Sequence, residues 1–387
     1  MEKLMKKHHG MAITVTIAVT TALLSFSGAS ADENSKNSEN NKGSNSSVEE
    51  FTGSTIRSHG HPIANLTGTP TSGTSQNKNS YVNNDDANAE LEWQKWNKEN
   101  SKAAAAVIGS IAASPILYRS TGPLHVYTGA VQIIPVWVGT WDATRKANWN
   151  RVLGNLVTSL NSGSINTVGH VLNTNLGYFP TNAPSLTWPS ATSATIPATG
   201  TIKSGIVQVS DANVATYIST ALKSKVIAAG TKPLYVYLGA NNTRLSSGFG
   251  TAYCGWHSIG TLTVNTTKYV NTPYIAIQDF QSNYLSACAK QSTLSPNGDA
   301  QLDAMASVLV HEIDEALTDP DLRTWYDAKG AENADKCAWT FGTTFTNSKG
   351  GLANIVLGGV EYLIQRNWLA DNKVTNADGT ACLVTLP

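Results

Sequence analysis

Apolar and polar positions along this chain follow two different periods, and the switches between them mark out its elements. Val131 to Trp141 is a nearly unbroken apolar run, the pattern of a buried strand, in which Pro135 implies a bulge or an edge position. Asp142 then offers a cap, and Trp149, Val152, Leu153, Leu156 and Leu160 recur at helical spacing, which predicts a helix through about Leu160. Val168 to Gly200 is rich in loop formers. A short strand over Gly205 to Val209, an amphipathic helix over Asp211 to Ile227 and a strong strand over Pro233 to Gly239 come next. Thr261 to Val264 and Tyr274 to Gln278 read as further strands. Trp325 to Leu386 reads as short strands and loops, among them Ile355 to Tyr362 and Tyr362 to Trp368.

Between those strands and that C-terminal stretch lies a long helical pattern. Ser295 and Pro296 suit an N-cap and a first helical position. Leu302, Met305, Ala306, Leu309, Ile313, Ala316 and Leu317 then form one apolar stripe, and Pro320 stops the helix. At about 100° per residue, His311 and Glu315 fall opposite the stripe. The helix is thus expected to be anchored along one side and to present His311, Glu312 and Glu315 on the other. Strands alternating with helices, followed by a strand cluster leading into this helix, predict an α/β (α+β) domain with a mixed sheet and flanking helices.

Composition sets the boundaries of that domain. Lys3, Lys6 and Lys7, an apolar or threonine-rich run from Met11 to Leu24, and Ala29-Ser30-Ala31 predict a signal peptide over residues 1–31, hence a secreted protein. The apolar run is too short for a confident membrane span, so none is expected after its removal. Residues 32–86 are dense in Asn, Ser, Gly, Thr and Lys, which predicts a disordered linker or pro-segment. Residues 87–115, with Leu91, Trp93, Trp96 and an alanine run, suit a helical segment. A single large domain over 116–387 remains. Formal charge is zero and no basic stripe occurs, which excludes a nucleic-acid surface; a monomer is expected. The four cysteines, Cys254, Cys288, Cys337 and Cys382, predict two disulfides in an exported chain. Of three pairings, Cys254–Cys288 and Cys337–Cys382 are favoured because each closes a moderate local loop.

The candidate chemistry lies in His311-Glu312-Ile313-Asp314-Glu315. Positions i and i+4 share a helix face, so His311 and Glu315 can hold one divalent ion while Glu312 polarises a bound water. This is the logic of the zincin helix His-Glu-x-x-His with its second histidine replaced by glutamate. Zinc is the expected ion. Calcium is the alternative, because one histidine with two carboxylates also suits a harder cation. A catalytic zinc takes three protein ligands, and Asp321, ten residues beyond His311, is the spacing-based third, with Asp319, Asp327, Asp335 and His257 as rivals. Glu312 would act as general base, and Tyr326 or His257 as oxyanion partner. Glycine-rich phosphate loops and a Gly-x-Ser-x-Gly elbow are absent. The expected partner is an extracellular peptide; the ten tryptophans leave a cell-wall glycan as the alternative.

Several segments together resemble the EXORDIUM or phosphate-induced protein family. They are the HEIDEALTDP run, Trp325-Tyr326-Asp327, Asp335-Lys336-Cys337, Cys254-Gly255-Trp256-His257, and the strand pattern from Leu124 to Trp141. The resemblance runs from about Gly122 to Val384. It implies a secreted protein, associated in plants with cell expansion and the cell wall, and implies no biochemical activity. The family pattern carries a further cysteine before the Cys-Gly-x-His element; Gly248-Phe249-Gly250 stands here instead. Two functions from different classes follow: a metal-dependent peptidase with a zincin-like architecture, or a non-enzymatic extracellular protein whose HExxE site holds a structural ion or none.

Overall fold

Six strands form the mixed sheet that carries the site: Gly60–Pro62 (β1), Ala130–Val138 (β2), Ser185–Thr187 (β3), Pro233–Gly239 (β4), Tyr253–Val264 (β5) and Thr267–Gln278 (β6). The structure, a computed structural model, describes residues 60–62, 115–119, 123–160, 171–180, 184–327, 330–372, 376 and 379–385. The expected signal peptide over 1–31 lies outside those residues, as does the segment over 87–115 except for Pro115. Of the expected linker over 32–86, three residues are described, and they form β1.

The strand order is β1-β5-β6-β4-β2-β3. β6, β4, β2 and β3 run parallel, β5 is antiparallel to β6, and β1 is antiparallel to β5. The α/β class and the mixed sheet are therefore as expected. Pro135 sits beyond the three-residue pairing of β2 with β3, in a stretch whose ladder partner is β4 alone. Its missing N–H suits that edge-like position. The strands expected at Thr261 to Val264 and Tyr274 to Gln278 are the ends of longer ones. β5 starts at Tyr253 and so carries the whole Cys254-Gly255-Trp256-His257 element; residues 254 to 259 are buried on both faces, which removes the alternation that marks a strand.

Three longer helices accompany the sheet: Ala143–Ser159 (α1), Asp211–Lys223 (α2) and Ala300–Thr318 (α3). Asp142 caps α1 as expected, accepting a 2.8 Å hydrogen bond from the Arg145 N–H. Register assigns the faces. His257, Ile275 and Val236 are cross-strand partners on one face, and Trp256, Ala276 and Tyr237 on the other. α3 packs on the first, against Gly255 and Ile277, while Tyr217 of α2 meets Tyr237 on the second. Among the described residues, no helix is long and apolar enough to cross a membrane.

α3 departs from its sequence reading in two ways. Its cap is Asp299, which accepts from the Leu302 N–H at 3.1 Å, rather than Ser295. Ser295 to Asn297 are held instead in a turn, with the Asn297 N–H and side-chain amide donating to Asp303 at 2.9 and 2.6 Å. More consequentially, the face opposite the apolar stripe is covered, and every residue from Leu302 to Thr318 is buried. The expected disulfides Cys254–Cys288 and Cys337–Cys382 are both present.

Candidate metal centre

Three elements far apart in sequence close over the polar face of α3. From β5 comes His257, two residues past Gly255 and therefore on the same face of the strand. Gly255 makes the approach possible, since a Cβ there would lie 2.5 Å from Val308 Cγ1 and 3.3 Å from Glu312 Oε1. The segment after α3 supplies the rest. Asp319 ends the helix, its carboxylate accepting from the Arg323 and Thr324 N–H groups at 2.6 and 2.7 Å. The chain then returns so that Glu332 and Asp335 reach the helix, and the bond from Cys337 to Cys382 staples it there.

The result is a buried cluster of two imidazoles, His257 and His311, and four carboxyls, Glu312, Glu315, Glu332 and Asp335. His311 Nε2 lies 3.1 Å from Glu315 Oε1 and 3.5 Å from Asp335 Oδ1. His257 Nδ1 lies 3.3 Å from Glu312 Oε2 and 3.6 Å from Glu315 Oε2, and its Nε2 lies 3.5 Å from Glu332 Oε1. Glu315 thus sits between the histidines, one carboxylate oxygen turned toward each. Its Oε1 also accepts from the Asp335 N–H at 3.0 Å, whereas Oε2 is buried with no hydrogen bond, as is Asp319 Oδ2. Side chains of His257, His311, Glu312, Glu315 and Glu332 are 0% exposed.

Such crowding shifts both imidazoles and all three glutamates. Burial pushes both imidazoles down, but the carboxylates outweigh it and hold both well above their ordinary value, Glu332 leading for His257 and Glu315 for His311. Burial raises Glu312 to about 6 against the pull of His257. In Glu315 the same burial is overcome by His311 and His257, which hold it near 2. Burial lifts Glu332 above the carboxylate range, with Glu315, Asp319 and Asp335 adding to it against His257.

Among the described residues, two sets bring their ligand atoms within 4.8 Å of one another: His311, Glu312 and Glu315, and His257, Glu315 and Glu332. The structure therefore brings His311, Glu312 and Glu315 together as the spacing predicts. Asp321 joins neither set. Its carboxylate accepts from the Leu124 N–H at 3.0 Å and the Thr324 hydroxyl at 3.3 Å. Asp327 is committed to the Lys336 ammonium at 3.2 Å and the Ala331 N–H at 3.0 Å. Tyr326 pairs by its backbone with Leu117 and lies under the Arg119 guanidinium. Of the rivals, His257, Asp335 and the carbonyl oxygen of Asp319 reach the cluster, the last 3.3 Å from His257 Nε2. Glu332 escaped the sequence reading altogether. The signal that could have found it is an acidic pair, Glu332 and Asp335, three apart and just ahead of a disulfide cysteine.

Residues 120–357 match the family profile described as "Phosphate-induced protein 1 conserved region", which spans both histidines and all four carboxyls. The protein named Protein EXORDIUM-like 3 of Arabidopsis thaliana is 25% identical over 295 residues, covering 67% of this chain and 82% of that protein. No solved structure matches the chain.

Proposed function

The chain belongs to the phosphate-induced protein 1 family, and on that premise we propose that it is a secreted metalloprotein whose α3 centre binds one divalent ion and hydrolyses peptide bonds. The observation that carries this reading is Glu315 held between two imidazoles, its Oε1 3.1 Å from His311 Nε2 and its Oε2 3.6 Å from His257 Nδ1, in a buried cluster of four carboxyls. Burying that many carboxyls is strongly unfavourable unless protons or a cation neutralise them. Two imidazoles converging on the carboxylates favour zinc over calcium, which takes oxygen ligands. His311 and Glu315 would hold the ion. In place of Asp321 we take Asp335 as the third ligand, because its Oδ1 lies 3.5 Å from His311 Nε2. Both disulfides support a location outside the reducing cytoplasm.

A divalent ion bound there supplies Lewis acidity to a water and a carbonyl. Glu312 would accept one proton of the attacking water and deliver it to the leaving amine, as a C–O bond forms and the C–N bond breaks. His257 positions Glu312 through its Nδ1. Complete burial of Glu312 favours a second reading, a structural ion in a non-enzymatic extracellular protein. A glycan platform has less behind it, because no described tryptophan is exposed.

Elemental mass spectrometry of purified protein separates these readings. Peptidase action requires about one zinc per chain, lost in His311→Ala, with peptide cleavage abolished in Glu312→Gln while zinc is retained. Zinc that survives His311→Ala, or stoichiometric calcium, contradicts the proposal. Bound zinc without cleavage of any peptide selects the structural ion.

A further inference from the structure

β1 is an unusual member of the sheet. It is three residues long, Gly60-His61-Pro62, and comes from a stretch whose composition offers little to bury. It pairs antiparallel with β5, Gly60 facing Trp256, His61 facing Gly255 and Pro62 facing Tyr253, and the register breaks between His61 and Pro62. Proline has no N–H to give a ladder, so the pairing ends where it has barely begun. Without β1, β5 would be the sheet's outer strand, a row of main-chain donors and acceptors ready for another strand.

The place it occupies is not arbitrary. His61 lies opposite Gly255, the residue whose missing side chain lets Glu312 approach β5, and β1 also lies against α3. Any strand added at this edge runs alongside the His–carboxylate cluster, two residues from His257. We propose that the outer edge of β5 at Tyr253–Trp256 is a binding site for an extended polypeptide, and that Gly60–Pro62 is a resident, exchangeable occupant of it. Pairing of this kind is made by main-chain groups, so the site accepts extended peptides with little regard to sequence. Roughly fifty residues separate Pro62 from the next described residue, Pro115. The occupant is covalently linked to the domain, so a free peptide competes with it at a disadvantage until that link is cut. Calling the exchanged peptide a substrate rests on the metallopeptidase reading; the exchange itself does not.

The test uses the whole chain with one specific-protease site inserted between Thr71 and Ser72, cut after purification. Three measurements follow: size-exclusion of the cut protein, amide hydrogen exchange over 253–256, and binding of a labelled synthetic peptide copying residues 54–68. The N-terminal piece should separate and the edge amides should exchange at least about tenfold faster. The added peptide should restore their protection and bind at least about 100-fold more weakly to uncut protein. A piece that stays attached with unchanged exchange overturns the proposal, as does a released piece whose copy does not rebind. Unfolding of the cut domain overturns it too, by making β1 an integral strand. Uncut protein carrying Gly60→Pro and His61→Pro must show the same faster exchange. Zinc content of the same samples bears only on the metal reading, so the two ideas fail separately.

Discussion

Gly255→Ala tests whether the contact between β5 and α3 is what assembles the centre. The added Cβ would stand 2.5 Å from Val308 Cγ1, 3.0 Å from Ile277 Cγ2 and 3.3 Å from Glu312 Oε1. Carbon atoms in contact rest about 3.5–4.0 Å apart, so strand and helix must part by about 1 Å along the line to Val308. Overpacking of that kind costs about 1–3 kcal/mol. Relief of glycine's extra unfolded-state freedom returns only about 0.5–1 kcal/mol, so the clash prevails. The same displacement carries Glu312 Oε2 out of reach of His257 Nδ1, now 3.3 Å away. Val308→Ala removes the closest atom and by itself should cost about 1–2 kcal/mol in lost burial. In that background the overpacking cost of Gly255→Ala should fall by at least half, a coupling of about 0.5–1.5 kcal/mol. Residual crowding from Ile277 and Glu312 keeps the cost above zero. Urea unfolding of the four proteins measures this directly. A single variant as stable as the parent, or a double variant whose costs simply add, would refute the close-approach argument.

Further expectations concern the rest of the scaffold. The two disulfides span sequence separations of 34 and 45 residues, for which loop entropy gives about 4 kcal/mol each. Replacing either pair by serine should lower the unfolding free energy by that order, and an unchanged urea midpoint would contradict it. Asp303 gives a pH test. Burial, its largest influence, raises its carboxyl above 3.8 against the hydrogen bonds from Asn297. The folded chain therefore holds that proton more tightly than the unfolded one, and its contribution is greatest below 3.8 and falls as pH rises through the folded value. Asp303→Asn should remove that part of the slope, seen by comparing urea midpoints at about pH 4 and about pH 7 for both proteins; parallel slopes would argue against it.

Local pattern made much of this molecule legible. Helical spacing in α1 and α3, the apolar runs of β2 and β4, and the His311-to-Glu315 spacing all describe neighbours along the chain, which sequence reports well. The covered face of α3 is a different matter. Periodicity treats a row of His, Glu and Asp as turned to water, and what buries it is pairing with groups from elsewhere in the chain, His257 and Glu332 among them. Asp321 suited the spacing of a third ligand, yet the turn at Leu322, with φ of 61°, accompanies a carboxylate directed to Leu124 and Thr324. β1 left no hydrophobic signature because its attachment is made by main-chain groups, so composition alone read Gly60–Pro62 as linker.

X-ray absorption at the zinc edge, on zinc-loaded protein and on His311→Ala, tests whether the α3 cluster holds the ion. The expected spectrum has a first shell of nitrogen and oxygen only, at about 2.0–2.2 Å, with imidazole scattering that weakens in the variant. A sulfur shell near about 2.3 Å, or a spectrum unchanged by His311→Ala, would place the ion elsewhere and contradict the site described.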